Sequence, residues 1–206
     1  MVPYHRVMVI LRTKKALQWG ELSLPVWGLS RNWHGATSDA PVMFSLANDS
    51  QRLWFIAAGK TPSKIHPQAR PGAFVAELWR YDCAELFLSD LESGRYLEFN
   101  LAANGAWWSA EFTAPRQRAD EIDIAFPEVA TFAELSPEGG WMCAMAIPLD
   151  LLDARIGFGE QSRINVAFIT NTPTQQFLSA ARLPGETPDF HQPEHFSAFL
   201  YHDLEE

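Results

Sequence analysis

The sequence holds only two cysteines, Cys83 and Cys143, in separate apolar segments and without the paired spacing that a cysteine metal site requires. In a chain with no export signal such cysteines read as buried thiols. Basic residues are also scarce: 16 Lys and Arg stand against 25 Asp and Glu, a formal charge of −9, and no stretch gathers enough of them to track phosphates. That makes nucleic acid a poor partner, and an anionic membrane surface equally poor. No apolar run approaches the roughly 20 residues of a transmembrane helix. The N-terminal apolar segment is only Val7 to Leu11, and basic Arg12, Lys14 and Lys15 come after it. A signal peptide has the opposite order. The expected location is cytoplasmic, with export expected only if the start is mis-assigned.

Helical periodicity is almost missing as well. Short apolar or alternating runs recur between turn residues, as in an all-β sandwich, and 47% hydrophobic with 13% aromatic residues is ample for its core. The expected strands are 7–12, 22–29, 41–47, 51–58, 73–79, 83–89, 94–102, 105–113, 141–147, 163–170, 175–182 and 196–202. Asn104-Gly105 predicts a primed two-residue hairpin turn, and Ser93-Gly94 a second turn, giving three consecutive antiparallel strands over 83–113. Pro148 followed by LDLLDARIG predicts the one short helix, ended by Gly157. Proline-rich loops fall at 61–71, 113–127 and 183–193, none resembling a domain linker, and there is no internal repeat. Residues 1–206 are expected to form a single antiparallel β-sandwich domain of two sheets, immunoglobulin-like or jelly-roll-like.

One acid interrupts the apolar run LWRYDCAELFLSD. Residues two apart in a strand share a face, so Ala84, Leu86 and Leu88 form the core side and Glu85 lies opposite, with Cys83 and Phe87. In the next strand Leu97, Phe99 and Leu101 point to the core while Tyr96, Glu98 and Asn100 point away. Glu85, Tyr96, Glu98 and Asn100 therefore share one polar-aromatic face. A hydrated outer surface would show the same alternation, but Trp79, Phe87 and one of Trp107 or Trp108 should border this face. Those two tryptophans are adjacent and must point to opposite sides. Trp19, Trp27, Trp33, Trp54 and Trp141 read as structural.

Six ordered blocks carry a resemblance: RLWFIAA, Trp79-x-x-Asp82-x-x-Glu85-x-Phe87, RYLEFNLAANGAWW, GGWMCAMAIPLDLL, RINVAFIT and HQPEHFSAFLY. Together they resemble the family 9 carbohydrate-binding modules and the wider DOMON-like β-sandwich group over residues 52–201. The resemblance implies a sugar site on a concave sheet face, where two aromatic rings clamp a terminal sugar and polar side chains bind its hydroxyls. Trp79 matches the first clamp and Glu85 a hydroxyl-binding acid. The second clamp position offers only Phe177. Glu98, Asn100, Arg163 and Asn165 are further candidates for hydroxyl binding, although Arg163 and Asn165 also read as a surface arginine and a strand-end asparagine. The chemistry is coherent: a pyranose presents an apolar C–H face to a ring and a rim of hydroxyls to ionised acceptors. Structural calcium is implied by the resemblance alone, since no compact acidic loop supplies its oxygens.

Other chemistries fit less well. Haem, held in some DOMON-like relatives by methionine and histidine, would need a pair from Met142, Met145, His66, His191 and His195, and no pair stands out. His191-Gln-Pro-Glu-His195 is not a helical zinc motif, because Pro193 separates the histidines. Gly59-Lys60-Thr61 lacks the earlier glycine of a phosphate loop. Glu85 and Glu98 could serve glycoside hydrolysis only if they flank a bond. The expected function is non-catalytic binding of a small sugar or glycan end, with no cofactor and no metal. The alternative is a scaffold whose aromatic face docks a partner or a second copy of the chain.

Overall fold

Alternation of apolar and polar residues builds two sheets that bury their facing sides. The computed structural model describes residues 7–123, 125–171 and 174–204. In chain order the strands are β1 (Met8–Arg12), β2 (Trp27–Arg31), β3 (Thr37–Asn48), β4 (Arg52–Gly59), β5 (Cys83–Asp90), β6 (Tyr96–Leu101), β7 (Trp107–Ala114), β8 (Gln117–Arg118), β9 (Ala130–Leu135), β10 (Trp141–Pro148), β11 (Ser162–Thr170), β12 (Gln176–Ser179) and β13 (Phe199–Asp203). One α-helix, α1 (Leu149–Ile156), follows β10, and Gly157 ends it in the left-handed conformation with its N–H on the Asp153 carbonyl. One sheet runs β13-β1-β3-β4-β10-β9, with β2 also paired to β3; the other runs β12-β11-β5-β6-β7-β8. The pairings are antiparallel except those of β1, which is parallel to both β13 and β3. No helix is long and apolar enough to cross a membrane among the described residues.

Between the sheets, Phe55 and Met145 of one meet Leu86, Leu88, Phe99 and Val166 of the other, all fully buried. Each such side chain contributes about 1.5–3 kcal/mol by leaving water. Trp107 joins this core, so its neighbour Trp108 points to the outer face. The outer faces are covered too. On the first sheet, Leu17, Trp19, Leu22 and Leu24 lie over Leu11, Trp54 and Ile56, and Phe132 stacks between Trp19 and Trp54 at 5.7 Å from each. The expected strand 22–29 thus begins only at Trp27. Its first residues are apolar because they cover a sheet.

The second sheet is covered by the segments around 65–79 and 183–196, which bring Leu78, Phe190 and Phe196 onto Phe87, Tyr96, Trp108 and Phe112. Here the expected strand 73–79 is not formed. Phe74 makes a single bridge to Trp107, and the segment ends in one 3-10 turn, Leu78–Arg80. β9 was not anticipated, because ATFAEL alternates weakly and its residues are only partly buried.

The β6–β7 turn also differs from its expected form. The Ala102 N–H bonds the Ala106 carbonyl, and the Gly105 N–H bonds that of Ala102. Of the turn residues only Gly105 has positive φ, 83°. This is a three-residue loop with a left-handed glycine, not a primed two-residue turn, which needs positive φ at both central positions.

Glu111 of β7 ties the sheet to α1. Its side chain is 4% exposed and accepts from Arg95 and, at 3.3 Å, from Arg155. The arginines are 39% and 40% exposed, so water can take them back if the carboxylate is lost. Glu111→Ala is therefore expected to cost about 1–2 kcal/mol, between the values for surface and buried pairs, as read from urea unfolding.

Candidate functional site

The cover over the second sheet leaves a cavity of about 590 Å³. Its floor is the outer face of the sheet: Glu85 from β5, Glu98 from β6, Trp108 and Phe112 from β7, and Ile169 from β11. Trp79, in the 3-10 turn, forms one wall and meets Trp108 edge to face at 4.9 Å. Glu77 precedes that turn with a left-handed φ of 62°, which reverses the chain so that Leu78 goes into the core and Trp79 borders the opening. Phe177 of β12 stands in the wall as well, edge to face with Phe190 at 6.0 Å. Arg116 and Arg118, from the β7–β8 hairpin, and the loop residues Asp189 and His191 complete the rim.

Strand register explains the acidic floor. Glu85 pairs with Asn100 and Phe87 with Glu98, so the two glutamates are diagonal neighbours on adjacent strands. Glu85 is 3% exposed and accepts no hydrogen bond from any described residue. Burial and the neighbouring Glu98 push its carboxyl well above the usual range, with Arg116 opposing them. Glu98 accepts from Asn100 Nδ2 at 3.0 Å. Burial raises it to about 7, against the lowering pull of Asn100, Arg118 and Arg116. The floor therefore holds a proton readily.

A polar seam closes the rim. The Arg116 amide donates to Tyr96 Oη at 3.1 Å, and the phenol lies 2.8 Å from His191 Nδ1. The other ring nitrogen, Nε2, lies 3.8 Å from Glu98 Oε2. Burial, then Arg116, lowers His191 to about 4, so the ring is neutral at pH 7. Arg116 grips Asp189 with two nitrogens, at 2.9 and 3.4 Å. Burial would raise Asp189, but the His191 amide and Arg116 outweigh it and hold the carboxyl below its usual range.

No sequence-family model and no curated protein sequence matches the chain. Solved structures do. A protein from Bacteroides uniformis proposed to bind carbohydrate is 17% identical, with a TM-score of 0.71 over 96% of this chain and 100% of that one. A family 9 carbohydrate-binding module from Caldicellulosiruptor kristjanssonii, in complex with glucose, is 13% identical, with a TM-score of 0.60 over 97% of each chain. A module of that family from the same organism, in complex with cellotriose, is 12% identical at a TM-score of 0.58, covering 97% of this chain and 95% of that one. This chain has the fold of the family 9 carbohydrate-binding modules.

Within that fold the residues singled out from the sequence separate into two groups. Trp79, Glu85, Glu98 and Phe177 line one cavity. Asn100 does not: it is fully buried and directs its amide to Glu98. Arg163 lies elsewhere, opposite Ser89 near the far end of β5, with its guanidinium on the carbonyls of Gln161 and Ser162. Asn165 is fully buried and accepts from Ser179 and the Ala181 amide. Asp82, the acid ahead of Glu85, staples two loops by accepting from the Lys64 amide and Asn171 Nδ2. Among the histidines, His191 reaches the site, whereas Met145 is buried between the sheets. The sequence reading missed Arg116, Arg118, Asp189 and Phe190. They come from proline-rich loops, where no periodicity marks a face.

Proposed function

We propose that the chain is a single non-catalytic carbohydrate-binding module that takes a small sugar or glycan end in the cavity over β5, β6 and β7. The observation that carries this reading is a buried carboxyl, Glu85, with no hydrogen-bond partner among the described residues, facing a cavity lined by aromatic rings. Trp79 offers a platform to the C–H face of a pyranose, while Glu85 and Glu98 accept from its hydroxyls. Such bonds contribute about 0.5–1.5 kcal/mol each to a neutral carboxyl and about 1.5–3 kcal/mol to an ionised one. Asn100 orients Glu98. The family 9 modules of the same fold hold glucose and cellotriose, which makes these sugars the first probes. Binding is favoured over hydrolysis by the register: glycoside cleavage needs carboxyl groups on either side of a bond, and Glu85 and Glu98 rise together from one floor.

The test is calorimetric titration with a sugar panel that begins with glucose and cellotriose. Trp79→Ala should weaken binding about 10–100-fold, the loss of about 1.5–3 kcal/mol of apolar contact. A merely structural Trp79 would instead lower the thermal midpoint and leave affinity unchanged. No ligand anywhere in the panel would overturn the reading.

A further inference from the structure

The charges around the cavity do not cancel locally. Three arginines line it, and each is already engaged by a carboxylate other than the floor pair: Arg116 by Asp189 at 2.9 Å, Arg80 by Glu77 at 2.7 Å, and Arg118 by Asp123. Arg118 also lies over the Trp108 ring, 5.0 Å from its centroid. His191 is neutral and sits 3.8 Å from Glu98, beyond a hydrogen bond. Among the described residues Glu85 has no hydrogen-bond or ion-pair partner, and Glu98 has only the neutral Asn100 amide within hydrogen-bond distance. Two carboxyl groups thus share a buried floor with no arginine or lysine in ion-pair contact among the described residues, Arg116 acting on both and Arg118 on Glu98 only from the rim. Burial of unpaired charge is costly, and a proton or an incoming cation relieves it. Trp108 and Phe112 share the floor with the pair and Trp79 stands in the wall, and aromatic rings beside a cation are favourable neighbours for it.

We infer that the cavity selects a sugar bearing a protonated primary amine, which seats its ammonium on Glu85 and Glu98 and its ring against Trp79. The inference rests on the cavity being the sugar site and adds the class of sugar. A primary ammonium has three donors. The lone pairs of Glu85 and the free oxygen of Glu98 supply acceptors for them, and a neutral hydroxyl in the same place brings one donor and no charge. N-acetylation would remove the charge and add bulk at that position, so the acetylated sugar should be disfavoured.

The experiment titrates the full chain at pH 7 with glucose, glucosamine, N-acetylglucosamine and 6-amino-6-deoxyglucose, at low salt and at high salt. At least one amino sugar should bind ten or more times tighter than glucose and the acetylated sugar, with the advantage shrinking at high salt. Glu85→Gln should bring the ratio of amino sugar to glucose close to one. Gln keeps the shape of the floor, and circular dichroism with the thermal midpoint confirms that it folds. Glucose binding as tightly as every amino sugar would overturn the inference and leave the sugar reading intact. Binding of no sugar at all would overturn both.

Discussion

Glu98→Gln is expected to stabilise the protein at pH 8 by on the order of 3 kcal/mol and to change little at pH 4. The folded-state pKa of Glu98 is raised to about 7 from an ordinary 4.5, first by burial. A carboxyl with a raised pKa takes up a proton on folding. Its stabilising contribution is full below the unfolded value near 4.5 and declines as pH climbs through about 7, where the folded protein must hold a charge that burial penalises. Each unit corresponds to about 1.4 kcal/mol, hence the magnitude. Glutamine mimics the neutral form: its oxygen can still accept from Asn100, and its amide can donate toward Glu85. Chemical denaturation at pH 4, 6 and 8 checks this, with the wild type losing more stability across the window than the variant, in which Glu85 alone of the pair still titrates. A variant less stable than wild type at pH 8 would mean that the carboxylate has a compensating cation. The same substitution should weaken sugar binding, the usual sign of an acid retained for its ligand at a cost in stability.

That acid was legible in the sequence because strand alternation has a period of two. Once Leu97, Phe99 and Leu101 are inward, Glu98 and Asn100 must be outward, and the structure buries both all the same. Alternation fixes a face and says nothing about position along it. Arg163 shares its side of β11 with Ile169, yet only Ile169 reaches the cavity. The AFVAELW run failed for a related reason. Its composition suits a strand, but its apolar residues serve to roof the outer face, and a left-handed Glu77 with a 3-10 turn carries Trp79 to the opening. The resemblance singles out Trp79 all the same, by its place ahead of Asp82-x-x-Glu85, and it lines the cavity. Nothing comparable links Arg116 to His191, 75 residues further along the chain. Their proximity depends on how two loops close over one sheet.

Tyr96→Phe tests that closure with the smallest change available. The Tyr96 ring is fully buried and stacks on Phe112 at 4.7 Å with an interplanar angle of 2°. Phenylalanine preserves this packing, so any effect belongs to the hydroxyl. Its oxygen accepts from the Arg116 amide and shares a second hydrogen bond with His191 Nδ1. Deleting it removes two hydrogen bonds whose other partners, exposed Arg116 and half-buried His191, can turn to water, and at about 0.5–1.5 kcal/mol each a loss of about 1–3 kcal/mol is expected in urea unfolding. Asp189 offers the comparison. Asp189→Ala frees Arg116 and the His191 amide from the same seam. In a double-mutant cycle the combined loss should fall short of the sum by 0.5 kcal/mol or more, on the order of the coupling found for residues in one network. Strict additivity would show that the phenol and the carboxylate hold the loops independently. Sugar affinity in Tyr96→Phe should drop with the seam, because His191 and Phe190 then lose the contact that holds them at the rim of the cavity.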